Sequence, residues 1–328
     1  MTTNLKARAQ VLVGPETFAL REVEIPAPAA GELRLRVHAC GICGSDKLLA
    51  RTAPAGSVLG HEVVAEVESC GPGVQGWRPG DRAIPVGDHL GMGDGGRLGG
   101  FSEWIVIDAA VCVRVPESVP SLQAVLGEPM GNGLHFMRRA RMRGGERVVI
   151  LGAGPIGLSI LFWARRLGAG RVVVSEPVAA RAQAARALGA DVVLDPTRVT
   201  GFSTAVAEAL GGRPQVAFEA TGRADVMQEA IRMAAPGGST VVIAGITLDE
   251  ITLRPVSLSL KETDLIFPLG TVREEVEEVL AVLARGELPV DRFVSHRIVL
   301  DAIPTTLRDL GRPTDQIKVV VDYTAAQR

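Results

Sequence analysis

The stretch "RVVILGAGPIGLSILFWA", residues 147–164, constrains this chain more than any other. Four apolar residues, Val148 to Leu151, read as a buried strand, and Gly152-x-Gly154-x-x-Gly157 follows at once. The glycines open a helix expected over Ile156 to Leu167. The first glycine permits a tight turn, and the second lets the backbone approach a pyrophosphate. The third lets helix and strand pack closely, while the helix N-terminus offers unpaired N–H groups to an anion. Glu176 ends the next strand nineteen residues after Gly157. A carboxylate there accepts hydrogen bonds from an adenosine ribose and repels a 2′-phosphate, which favours NAD over NADP. Arg181 works the other way, because a guanidinium can pair with such a phosphate. The competing reading is a strand-turn-helix whose glycines serve packing alone. As a membrane span the segment is too short and too interrupted by glycine and proline.

The same rhythm continues downstream. "RVVVSE", "DVVLD", "VAFEA", "STVVIAG" and "TDLIFPLG" alternate with helical patterns near 179–190, 202–210 and 224–235. Six strands separated by helices call for a parallel, doubly wound sheet. The first 120 residues instead carry short strand-like runs such as "ELRLRVHA", "VVAEVESC", "DRAIPV" and "FSEWIVID", punctuated by glycine and proline turns. After Gly270 a helix over "EEVEEVLAVLARG" and the segments "SHRIVL" and "IKVVVD" finish the chain. A β-rich domain interrupted by a dinucleotide-type domain is expected, with the last segment returning to the first.

A net charge of −2 gives no electrostatic reason to expect nucleic acid or an anionic membrane as partner. The polar start "MTTNLKARAQ" lacks the apolar core of a signal peptide. Four cysteines, at 40, 43, 70 and 112, make no disulfide framework, so a cytoplasmic protein is expected.

Cys40 and Cys43 lie in "HACGICGSD". A structural zinc site needs a second pair of ligands that the chain does not offer. A redox pair belongs at the start of a helix in a βα unit, whereas this stretch lies in the β-rich part. "LGHE" then places His61 and Glu62 close behind, His61 being eighteen residues after Cys43.

Together "GICGSD", "GHE", "GEPMGNGLH", "LGAGPIG" and the closing "LARGEL", "SHRIVLDAI" and "KVVV" resemble the zinc-dependent medium-chain dehydrogenase/reductases of the alcohol dehydrogenase superfamily. The pattern is closest to threonine dehydrogenase and to sorbitol and other polyol dehydrogenases, and it runs from Gln10 to Val321. The resemblance implies an α/β chain. Residues 1–128 and 271–328 would form a GroES-like β-rich catalytic domain, and residues 129–270 a Rossmann domain with a doubly wound six-stranded parallel sheet. It implies one catalytic zinc held by Cys43 and His61, with Glu62 and Glu128 completing the candidate set. Thiolate, imidazole and carboxylate leave one tetrahedral position for water or substrate. Asp46 would fix the His61 tautomer, and Ser45 would take the alcohol proton.

The implied cofactor candidates are Gly152, Gly154, Pro155, Ile156, Gly157, Glu176 and Arg181, and further on Ala244, Gly245, Ile246, Pro268 and Leu269. The implied activity interconverts a secondary alcohol and a ketone, with a polyol, cyclitol, aminocyclitol or amino alcohol as substrate and NAD as hydride acceptor. Relatives assemble through their nucleotide domains, so a homodimer or homotetramer is expected.

Two departures stand out. Relatives carry a four-cysteine lobe for a structural zinc between "GDR" and the strand resembling "FSEWIVI"; here that region is "AIPVGDHLGMGDGGRLGG", so this second zinc is expected to be absent and His89 to be a loop residue. Leu48 stands where relatives place a histidine that passes the proton onward. His38, His135, His296, Cys40, Cys70 and Cys112 read as structural or core residues. Two rivals remain. A metal-free quinone or enone reductase of the same fold needs none of Cys43, His61, Glu62 and Glu128; a dinucleotide-binding sensor without catalysis draws support from Leu48 and the shortened lobe.

Overall fold

Burial with a period of two organises the first part of the chain. In the computed structural model, which describes residues 5–87, 97–310, 312 and 314–324, strands β1 (Leu5–Gly14) and β2 (Thr17–Ile25) pair as an antiparallel hairpin. Next come β3 (Glu32–Gly41), helix α1 (Gly44–Thr52), β4 (Glu62–Cys70), β5 (Arg82–Pro85), β6 (Trp104–Asp108) and β7 (Cys112–Arg114). Leu33, Leu35, Val37 and Ala39 of β3 are buried while the residues between them are partly exposed. One face of the strand therefore meets the core and the other meets solvent. β6 begins later than "FSEWIVID" suggests: the Phe101 N–H goes to the Leu59 carbonyl instead, and Ser102 makes only an isolated bridge to Ala9.

Helices α2 (Ser121–Ala124) and α3 (Gly127–Ala140) lead to the alternating region. Strands β8 (Arg147–Leu151), β9 (Arg171–Ser175), β10 (Val192–Leu194), β11 (Val216–Glu219), β12 (Ser239–Ile243) and β13 (Thr263–Ile266) are separated by α4 (Pro155–Arg166), α5 (Ala179–Ala187), α6 (Phe202–Leu210), α7 (Ala224–Met233) and α8 (Pro255–Ser259). Helix α4 starts at Pro155 because a proline suits the first helical position, where its missing N–H costs nothing. The chain closes with α9 (Arg273–Ala284), β14 (Val294–Ile298), α10 (Ile303–Asp309) and β15 (Lys318–Asp322).

The chain divides into two units. One comprises the chain up to Gly131, Thr271 to Arg312, and Lys318 onward; the other comprises Asn132 to Gly270 with a short piece ending at Ile317. In the first unit β3 is the hub. A seven-stranded sheet runs β14-β15-β3-β4-β5-β7, with β6 also paired to β3. β15 lies antiparallel to β3 with Val321 opposite Cys40 and Val320 opposite Gly41, so the end of the chain joins the first strands.

In the second unit the sheet order is β10-β9-β8-β11-β12-β13, every pairing parallel. Val148 to Leu151 are all buried, the pattern of a strand covered on both faces. The strand order runs outward from the centre in both directions, so its reversal falls between β8 and β11. In open α/β sheets ligands bind outside the strands' carboxyl ends at that reversal. Packing near it is tight, for a Cβ on Gly133 of α3 would lie 2.0 Å from Ser159 Oγ and 2.7 Å from Ser159 Cβ of α4. Gly133→Ala is expected to lower stability by about 1–3 kcal/mol despite alanine's better helix propensity, as read by urea denaturation.

Candidate functional site

Cys43 occupies the N-cap of α1. The Asp46 backbone N–H donates to the Cys43 carbonyl at 3.2 Å, and Asp46 Oδ2 accepts the Cys43 N–H at 2.8 Å, a reciprocal pair that fixes the Asp46 side chain and the turn carrying Cys43. His61 stands just before β4. Gly60, at φ +96°, passes under Phe101, where a Cβ would lie 2.6 Å from the ring. That passage needs a glycine, and it sets the turn from which His61 enters the site.

Asp46 Oδ1 lies 3.3 Å from His61 Nδ1. Burial opposes a charged His61 ring, but Asp46 and Cys43 outweigh it and hold the imidazole pKa well above its ordinary value. With Asp46 facing Nδ1, Nε2 is the nitrogen left to a metal or a second proton. Ser45 Oγ lies 3.3 Å from that Nε2. One donor atom from each of Cys43, His61 and Glu62 falls within 4.8 Å of the others, the one such cluster among the described residues. A thiolate, an imidazole and a carboxylate are a donor set that suits zinc.

Glu62 is buried, and both its carboxylate oxygens take the Lys318 ammonium, at 2.5 and 2.7 Å. Lys318 Nζ donates further to the Ile42 carbonyl at 3.0 Å. Local strand pairing explains the arrangement. Gly41 sits opposite Glu62 where β3 and β4 meet, and a Cβ on Gly41 would lie 1.9 Å from Glu62 Oε2. Any larger residue there would expel the carboxylate. Burial works against the Lys318 charge, but Glu62, then Cys43 and Glu128, hold its pKa above the ordinary lysine value. Glu128, on the first turn of α3, thus enters through its field at Lys318 rather than through the three-donor cluster. Sequence reasoning does not single out Lys318. Its only signal is a lone charge at the head of the apolar run "KVVV".

The remaining thiols and imidazoles lie elsewhere. Cys40 and Cys112 are core residues whose thiols burial pushes up, Cys112 to about 12, and Cys70 is half-buried. His38 Nδ1 lies 3.1 Å from Ser121 Oγ and its Nε2 lies 3.5 Å from Glu66, and burial lowers its pKa. His135 is on α3 and His296 on β14, where its Nδ1 meets Ser295 Oγ at 3.0 Å. His89 and half of its shortened region, residues 88–96, lie outside the described residues.

The glycine loop sits at the carboxyl end of β8. Gly152 adopts φ +100°, and a Cβ on Gly157 would lie 1.9 Å from the Gly152 carbonyl, so both positions require glycine. Nothing lies within 4 Å of the Cβ direction at Gly154, the N-cap of α4, which leaves its backbone open to a ligand. Glu176 is buried; its Oε2 accepts the Ala153 N–H at 2.8 Å and its Oε1 the Val178 N–H at 2.9 Å. Arg181 Nε donates to the Gln316 carbonyl at 2.9 Å. Ala244 and Gly245 leave β12 beside the loop after β11, with Ile246 exposed. Pro268 and Leu269 follow the edge strand β13, Pro268 buried and Leu269 exposed.

A β-rich unit with a thiolate–imidazole–carboxylate corner, and a doubly wound sheet with a glycine loop at its switch point, define a class of metal-dependent oxidoreductase. Family models agree: residues 29–117 match the alcohol dehydrogenase GroES-like domain and residues 155–285 the zinc-binding dehydrogenase domain. The chain is 31% identical to sorbitol dehydrogenase of Homo sapiens, over 92% of this chain and 93% of that protein. It is 29% identical to (R,R)-butanediol dehydrogenase of Bacillus subtilis, over 92% of this chain and 95% of that one. A structure from Sinorhizobium meliloti bound to NADP superposes with a TM-score of 0.87 at 26% identity, covering 97% of this chain and 99% of that chain. The protein belongs to the zinc-type medium-chain alcohol dehydrogenase superfamily and is an alcohol or polyol dehydrogenase. None of the described helices is long and apolar enough to cross a membrane.

Breaking the buried pair leaves a carboxylate in the core without its counter-charge. Lys318→Met is expected to destabilise metal-free protein by about 3–5 kcal/mol in urea denaturation, and Lys318→Met with Glu62→Gln to recover most of that loss.

Proposed function

We propose that this protein oxidises a hydroxyl-rich secondary alcohol (a polyol, cyclitol, aminocyclitol or amino alcohol) with NAD as preferred hydride acceptor and one zinc ion per chain. The observation that carries the proposal is the convergence of Cys43, His61 and Glu62 donor atoms within 4.8 Å, beside Ser45. Cys43, His61 and Glu62 would hold the ion, with Glu128 the further donor that the family resemblance implies. When bound, zinc supplies a Lewis acid that lowers the pKa of a hydroxyl, and the dinucleotide supplies the hydride acceptor.

The chain's own groups do the rest. Asp46 holds the His61 ring in one orientation through Nδ1. Lys318 holds both oxygens of the buried Glu62 carboxyl group in place. Ser45 Oγ, next to His61 Nε2, is the hydroxyl placed to take the substrate proton. The first unit is thus read as catalytic, and the second as the dinucleotide-binding one. The preference for NAD rests on Glu176, whose negative charge sits against the glycine loop at Ala153 and disfavours a 2′-phosphate nearby.

The substrate class draws support from Glu128, which occupies a position where a third cysteine marks the alcohol dehydrogenases proper. The relatives named for sorbitol and butanediol lean the same way. A self-association surface is also proposed. β13 is the edge of its sheet, and Leu248, Val256, Leu260 and Phe267 around it are 60–78% exposed. An apolar, unpaired edge of this kind is suited to a second copy of the chain.

Protein purified without added metal is expected to contain about one zinc per chain by elemental analysis, a content that Cys43→Ala abolishes together with turnover. The turnover panel is polyols, diols and amino alcohols with NAD and with NADP. Zinc-free wild type that still binds NAD would overturn the mechanism in favour of a metal-free reductase or a sensor. Light scattering after size exclusion is expected to show a dimer or tetramer, and Leu260→Glu with Phe267→Glu to shift it towards smaller species. A monomeric wild type would remove the surface assignment.

A further inference from the structure

The switch point contains a buried acid to which the reaction just described gives no role. Glu219, the last residue of β11, is fully buried, and burial holds its carboxyl above the usual carboxylate range. Oε1 gathers three donors: the Thr221 N–H at 2.6 Å, the Gly222 N–H at 3.1 Å and the Thr221 hydroxyl. Oε2 is buried without a hydrogen-bond partner and lies 2.7 Å from where a Cβ on Gly245 would stand. The main-chain carbonyl of the same residue accepts the N–H groups of Ala244 at 2.7 Å and Gly245 at 2.9 Å. One residue therefore closes both the turn after β11 and the turn after β12.

These turns have no slack. A Cβ on Gly245 would lie 2.2 Å from the Gly222 nitrogen, and one on Gly222 would lie 2.6 Å from the Ile246 carbonyl. They also bear on the glycine loop, since a Cβ on Gly152 would lie 2.8 Å from Thr221 Cγ2. A buried oxygen left without a partner costs stability, so an acid at this place needs a reason beyond closing a turn. The sheet provides that reason. Its β8–β10 half carries the glycine loop and Glu176, the adenosine side of a doubly wound site, which leaves the β11–β13 half to the other nucleotide.

We infer that Glu219 is a positioning residue for the nicotinamide half of the cofactor: it does not touch the ligand, but sets the turns at 220–222 and 244–246 against Gly152 in the shape that half requires. The inference rests on the dinucleotide reading of this sheet. Losing a buried acceptor of three donors in Glu219→Ala is expected to raise the Kd of NADH about tenfold. Because AMP uses the adenosine half alone, its Kd should change by less than about twofold on the same scale. Glu219→Gln, which keeps an acceptor at Oε1, is expected to restore NADH binding to near wild type. Calorimetric titration of the full chain with NADH and with AMP, beside a thermal melt, reads all of this without turnover. Where the alanine variant does not fold, Thr221→Val carries the same comparison, since it removes one donor and keeps the side chain's shape.

Equal weakening of AMP and NADH would mean a general loss of structure and overturn the inference. Unchanged NADH binding in the alanine or valine variant would overturn it as well. Wild type that binds neither ligand would instead bring down the dinucleotide reading, and the inference with it.

Discussion

The Glu62–Lys318 ion pair is the constraint on which the metal corner of this protein depends. Taking each charge out of water costs several kcal/mol, and only close, fully hydrogen-bonded geometry offsets that cost. The offset needs three strands at once. β4 supplies Glu62, β3 supplies the glycine that gives the carboxylate room, and β15 supplies the ammonium. Cys43 and His61 flank this pair, so the lysine of β15 meets the one carboxylate in a cluster of thiol, imidazole and carboxylate. The tail of the chain is therefore part of the candidate active site.

In the second unit the corresponding constraint is steric. Parallel strands buried on both faces leave little freedom in their interior, and the variable geometry collects at their carboxyl ends. There the chain relies on absent side chains: Gly152, Gly157, Gly222 and Gly245 each occupy a place where a Cβ would strike backbone or a neighbouring side chain. Carboxylates stitch these bare turns together, Glu176 through the Ala153 N–H and Glu219 through Thr221 and Gly222. Backbone N–H groups that a helix or strand would have satisfied are met here by buried acids. Such an edge can be rigid without regular secondary structure.

The strand–helix alternation of the second unit is legible in the sequence because parallel strands are continuous apolar runs and each is closed by glycine, proline or a polar turn. "RVVILG" and "STVVIAG" leave no other reading. The first unit is legible as β-rich but not in its pairings. Nothing local says that β3 takes β4, β6 and β15 as partners, since those pairings join segments from both ends of the chain. The motif residues Cys43, His61 and Glu62 are identifiable from spacing and resemblance. Lys318 and Glu219 are not, because each is one charged letter at the end of an apolar strand and its meaning lies in what the strand ends against.

By itself the sequence determined the periods, the glycine loop and the types of donor available, all of which are local and follow from residue chemistry within a few positions. Only the tertiary structure decided which charges would face one another. It turned both oxygens of Glu62 to Lys318, gave both oxygens of Glu176 to backbone N–H groups, and left one oxygen of Glu219 without a partner. Such choices depend on distances of a few ångströms between segments far apart in the chain, and on the removal of water that makes those distances matter.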